Sequence, residues 1–187
     1  MSKSIRNLTL SAMFIALGLV LPMITGHIPQ IGNMISPMHI PVLFCGLICG
    51  WQYGAVIGLI LPLFRHLLFG MPPLFPTAIA MTFELCTYGL VIGLLYGMAR
   101  KQGIVAIYRS LILSMIAGRL VWGLAMVILL GIGGTQPFTW EAFLSGALLT
   151  AIPGIIIQLT IIPLIMAALN RAGVVRFRTK EDKPEAE

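Results

Sequence analysis

Between Leu8 and Leu169 the chain is a succession of apolar stretches of helix length, broken only by Gly, Pro and short polar clusters. About 20 apolar residues are enough for a helix to cross the hydrocarbon core of a bilayer, so this pattern predicts a membrane-spanning helical protein. Composition agrees: 58% of residues are apolar or aromatic, 10% are charged and the mean hydropathy is +0.99. Soluble domains run nearer half apolar and about a quarter charged. With 187 residues, at most about nine crossings fit before loops are subtracted, which is the size of one polytopic domain.

The breaks predict six helices. The first covers about 7–25 and is followed by an uncharged loop, GHIPQIGNMIS at 26–36, a candidate lid. The second and third, about 37–50 and 53–69, are joined by a tight reversal at Gly50–Gly54; both are short for full crossings and are expected to tilt or stop partway. MPPLFP at 71–76 ends the third, a fourth runs about 76–98, and a fifth about 105–131. GIGGTQPF at 131–138 is a loop, Thr139 is a weak cap, and the sixth runs to about Leu169 with Pro153 and Pro163 inside it. The basic start and long apolar run at the N-terminus lack a small-x-small cleavage site and are read as a retained first helix.

Charge placement sets the topology. Lys3, Arg6, Arg100, Lys101, Arg109, Arg171, Arg176, Arg178, Lys180 and Lys183 all fall on one side of a six-helix arrangement, and the loops 26–36, 70–76 and 132–141 hold no Lys or Arg. The positive-inside rule puts both termini in the cytoplasm, so the expected fold class is an all-α membrane protein, a six-transmembrane-helix bundle in the cell membrane. Residues 1–170 form the bundle and 171–187 a charged cytoplasmic tail. The net charge of +6 is thereby a signature of topology, not of a nucleic-acid surface.

Chemistry is scarce. Of six acidic residues, Glu181, Asp182, Glu185 and Glu187 crowd the tail, leaving Glu84 and Glu141. Cys45, Cys49 and Cys86 are read as buried thiols, with no ligand set for a metal and no cofactor implied. No phosphate-binding loop, zinc-protease or nucleophile-elbow motif occurs, so an enzyme is not expected. No inverted repeat or carboxylate relay is evident either, so a transported solute would draw on energy from other subunits.

What topology leaves unexplained is Arg65, Arg119, Glu84, His39 and His66, all within apolar helices. Intramembrane ionisable groups are costly unless paired or facing a cavity. Counting from the helix ends places Glu84 ~12 Å and Arg119 ~18 Å from the outer boundary, with Arg65, His66 and His39 nearer to it. Two readings stand. In one, Glu84 and Arg119 form a structural ion pair while Arg65 snorkels to the headgroups. In the other, these groups line an outward pocket in which Arg119 and Arg65 hold an anion, Glu84 orients them, Tyr88 and Trp122 supply aromatic walls, and Asn33 covers the ligand from the first loop. Gln158 is too deep to take part. Ala12 and Ala16, four apart, give the first helix a face that another helix can approach closely; similar spacings recur at Gly46/Gly50, Gly54/Gly58 and Gly89/Gly93.

The stretch SPMHIPVLFCGLICGWQYGAVIGLILPLFRHLLFGMPPLFPTAIAMTFELCTYGLVIGLLYG, with Ala12 and Ala16 before it and six helices in a chain of this size, resembles the S component of energy-coupling factor (ECF) transporters over about residues 5–170. That resemblance implies a substrate-binding membrane subunit that captures a vitamin or vitamin precursor near the outer side. It also implies partners, a transmembrane coupling subunit (T component) docking on Ala12 and Ala16 and two ATPase subunits, with transport involving toppling of the S component. Two arginines against one carboxylate favour an acidic vitamin such as pantothenate. The alternatives are a scaffold that only packs against partner helices, or a small intramembrane enzyme.

Overall fold

The computed structural model describes residues 3–24, 37–132, 139, 151–175 and 177. Among them there is no strand, and six α-helices follow in order: α1 Lys3–Ile24, α2 His39–Cys49, α3 Trp51–Phe69, α4 Ile79–Met98, α5 Ile104–Ile132 and α6 Ile152–Arg171. All but α2 are long and apolar enough to cross a membrane. The protein is therefore an all-helical membrane bundle. The first-loop lid, Asn33, the 131–138 loop beyond Ile132 and most of the tail lie outside the described residues, as do residues 140–150.

Several boundaries differ from expectation for local reasons. Gly50 alone turns the chain between α2 and α3, at φ +100°, a conformation that side chains other than glycine rarely adopt. The Gly54 amide then bonds back to the Gly50 carbonyl at 3.1 Å, so α3 starts at Trp51 and gains full spanning length. Gly50 thus does not act as a packing residue with Gly46. At the other end Gly70, φ +69°, caps α3 by donating to the His66 carbonyl at 2.8 Å. Phe75 is extended ahead of Pro76, as the residue before a proline tends to be, and a short π turn, Leu74–Ala78, intervenes before α4. The described part of α6 begins at Ile152. Pro153 consequently sits in its first turn, where a missing N–H costs nothing, and only Pro163 is interior.

α2 is the innermost helix, with nine of its eleven residues buried. α4 packs against α3, α5 and α2, while α1 leans on α2 and α3. The α2–α3–α4 crossing is made by glycine. A Cβ added at Gly54 would stand 2.8 Å from Gly46 Cα and 2.8 Å from the Gly89 carbonyl oxygen, and one at Gly93 would stand 2.5 Å from Trp51 Cα. Backbones this close gain dispersion contacts in a solvent that supplies little hydrophobic drive between helices. On α1, Ser11, Phe14, Gly18 and Pro22 face the bundle at helical spacing, whereas Ala12 and Ala16 are exposed among Met13, Leu17 and Val20.

Cross-helix contacts order the two ends. Asn7 on α1 donates to the Cys49 carbonyl at 3.3 Å, tying the start of α1 to the end of α2. Phe177 lines one cleft with Arg100, Lys101 and Arg109, which joins the region beyond α6 to the α4–α5 turn. Arg6, Arg100, Lys101, Arg109 and Arg171 accordingly share one end of the bundle. Cys45 and Cys49 are buried and Cys86 half-buried, all free thiols.

Candidate functional site

The polar centre lies toward the other end, where α2 begins. Glu84 is on α4, 1% exposed, in a protein interior where an ionised carboxylate is costly without partners. It has three neighbours. Arg119 Nη1 on α5 stands 2.9 Å from Glu84 Oε1, the Tyr88 hydroxyl donates to the same oxygen at 3.1 Å, and His39 Nε2 lies 3.6 Å from it. Tyr88 reaches back because residues four apart share a helix face. His39 arrives because it is the first residue of α2, 2% exposed, with its ring 5.3 Å from that of Tyr88 at a 59° tilt.

Gly118 makes the α4–α5 approach possible. A Cβ there would collide with the Tyr88 ring, so the residue preceding Arg119 must be small for Arg119 to reach Glu84. Nothing in the sequence pattern had singled out Gly118, and Tyr88 was expected as an aromatic wall, not as a hydroxyl donor to Glu84. Its spacing from Glu84 was the available signal.

Unsatisfied polar atoms surround the cluster. His39 Nδ1, His39 Nε2 and Arg119 Nε are buried without a hydrogen-bond partner. Most buried polar atoms in folded proteins are paired, so three together mark a place where further chemistry fits. No group of His, Cys, Asp and Glu among the described residues could hold a metal ion.

Arg65 makes contacts toward α1 and along its own helix. Its Nη1 donates to the Leu19 carbonyl at 3.4 Å, and its guanidinium lies 5.8 Å from the centre of the Phe69 ring, so its contacts join α3 to α1. His66 Nδ1 sits 2.8 Å from the Pro72 carbonyl oxygen and fastens the reversal after α3. Trp122 is half-buried one turn beyond Arg119, Gln158 is buried on α6, and Asn33 lies outside the described residues.

A bundle of spanning helices around a buried charge cluster defines a polytopic membrane protein with an intramembrane polar site. A family model described as ECF transporter, substrate-specific component, matches residues 6–166, and the chain belongs to that family. It is thus a substrate-specific membrane subunit of an ECF transporter. No curated protein matches the chain, and no solved structure does either.

Proposed function

We propose that the chain captures a vitamin or vitamin precursor at the cluster of His39, Glu84, Tyr88 and Arg119 and delivers it for ATP-driven uptake. The observation that carries this reading is the set of buried nitrogens on His39 and Arg119 that make no hydrogen bond, beside the Glu84–Arg119 pair at 2.9 Å. A purely structural ion pair has no need of them, because unsatisfied buried polar atoms are destabilising. Trp122 and Asn33 are assigned to the rim of the ligand site. Arg65 is assigned to bracing α1 against α3. An acidic ligand such as pantothenate was favoured by two arginines facing one carboxylate, and that ground weakens with Arg65 bonded to Leu19.

The energy and docking assignments follow from the family. A T component seats on Ala12 and Ala16, whose exposure on α1 supports the assignment, and two ATPases act through it. Both termini face the cytoplasm, supported by the basic residues gathered at one end. The deciding experiment is native mass spectrometry of the chain purified alone from a gentle detergent, with identification of any molecule released on denaturation. A stoichiometric vitamin-like ligand, lost in Arg119→Ala, is expected. An empty protein that ignores a panel of vitamins in thermal-shift assays would favour a scaffold.

A further inference from the structure

The end of the bundle opposite the polar cluster holds a cleft of about 970 Å³ between the end of α4 and the start of α5. Three exposed cations line it, Arg100 and Lys101 in the turn and Arg109 on α5. Residues four apart share a helix face, so Val105, Arg109 and Leu113 enter the cleft as one stripe. Phe177 adds a wall from beyond α6, held by its amide, which donates to Asn170 Oδ1 at 3.0 Å.

Among the described residues no carboxylate answers these charges. Glu84 is paired with Arg119 at 2.9 Å, and Arg119 lies ~15 Å further along α5 than Arg109. In the chain beyond α6, Arg176, Arg178, Lys180 and Lys183 balance Glu181, Asp182, Glu185 and Glu187, so that segment offers the cleft no net negative side-chain charge. An anion from outside the chain is the natural complement.

Depth decides which anion. α5 has 29 residues and is ~43 Å long, whereas the hydrocarbon core is ~30 Å thick, so part of the helix stands in the headgroup layer. Arg109 near its start, with Tyr108 exposed beside it, puts that part at the basic end, because a cation and an amphipathic ring both settle at headgroup level. Met98 and Val105 flank the cations at 76% and 73% exposure, and deeper in the cleft the lining turns to Leu95 and Leu113. A free inorganic ion would leave these apolar side chains uncovered; a phosphate bearing hydrocarbon covers them. Guanidinium forks match phosphate oxygens, and the first amides of α5 lack carbonyl partners within the helix. A zwitterionic headgroup would bring a further cation to three already unopposed.

We propose that this cleft binds an anionic phospholipid, with its phosphate held by Arg100, Lys101 and Arg109 and its hydrocarbon laid over Met98 and Val105 and along Leu95 and Leu113. The site is separate from the ligand cluster and stands whatever that cluster binds.

The test follows lipid adducts of the purified full chain by native mass spectrometry in a mild detergent. Phosphatidylglycerol and phosphatidylcholine of identical acyl chains are added at equal concentration, with inorganic phosphate as a third probe. Phosphatidylglycerol should be retained at least about tenfold more tightly than phosphatidylcholine. Arg109→Gln alone should reduce that preference by about threefold or more, and Arg100→Gln, Lys101→Gln and Arg109→Gln combined should abolish it. Arg6→Gln with Arg171→Gln removes two cations of the same end that lie outside the cleft, and should leave the preference unchanged. Equal retention of the two lipids, or a preference lost as fully in the Arg6 and Arg171 variant as in the cleft variants, would reduce the feature to the general basic charge of that end and overturn the site. Inorganic phosphate displacing phosphatidylglycerol at equal concentration would make it an anion site and overturn the lipid assignment.

Discussion

Arg119 Nη1 on α5 and Glu84 Oε1 on α4 stand 2.9 Å apart, with the carboxylate almost wholly buried. An ion pair so placed costs desolvation on both sides, and removing one partner leaves the other charge stranded. The pair joins two neighbouring helices beside His39 at the head of a third, so it ties three helices of the bundle at one point.

Breaking the pair from one side should cost more than removing both. Arg119→Ala leaves Glu84 unpaired and is expected to destabilise by about 3–5 kcal/mol, with Arg119→Ala combined with Glu84→Ala less damaging than the two single effects added. Thermal unfolding in detergent of the single and double variants reads the coupling; strict additivity would show that the two charges do not interact.

Tyr88→Phe keeps the ring against Gly118 and removes only the hydroxyl that donates to Glu84 at 3.1 Å. A hydrogen bond to a charged group is worth about 1.5–3 kcal/mol, so a clear loss of stability is expected with the α4–α5 packing retained. A melting temperature equal to that of the parent would remove the hydroxyl from the cluster.

The glycine crossing makes a sharper contrast. Gly54→Ala places a methyl 2.8 Å from the Gly89 carbonyl oxygen, so α3 and α4 must separate, and a fall in folded yield by size-exclusion chromatography is expected. Gly97→Ala, with nothing within 4 Å, should behave as the parent and gain slightly from helix propensity.

Ala12→Leu and Ala16→Leu alter the exposed face of α1 and leave the inward stripe of Ser11, Phe14 and Gly18 untouched. Ligand affinity should stay unchanged while co-purification with the coupling subunit and cellular uptake fall. Normal assembly of both variants would move the docking surface elsewhere.

Arg65→Ala should lower stability by no more than about 1–2 kcal/mol, since one carbonyl hydrogen bond and one ring contact are lost, and affinity for ligand should hold. A large loss of affinity measured by calorimetry would return Arg65 to the binding site.

The all-helical membrane character, the near boundaries of the described helices and the clustering of basic residues were legible in the sequence. Each is a one-dimensional consequence of the bilayer: burying an apolar run is favourable, and charges stay at the ends. The same logic marked Glu84, Arg119 and His39 as residues needing a reason, because an ionisable group in that setting is costly wherever its neighbours are. The sequence could not say which of them meet. Arg65 and Arg119 look alike as cations within apolar helices, yet one donates to Leu19 and the other to Glu84. That outcome depends on how each helix is rotated about its axis and on how close its neighbour can come. Gly118 decides the second for α5, and the lone turn at Gly50 sets how α3 returns against α2. Hydropathy and charge, read along the chain, therefore determined that this protein crosses a membrane and carries a buried polar site. Only the tertiary packing decided that Arg119, Tyr88 and His39 converge on one oxygen of Glu84, because donor and acceptor geometry exists only between helices.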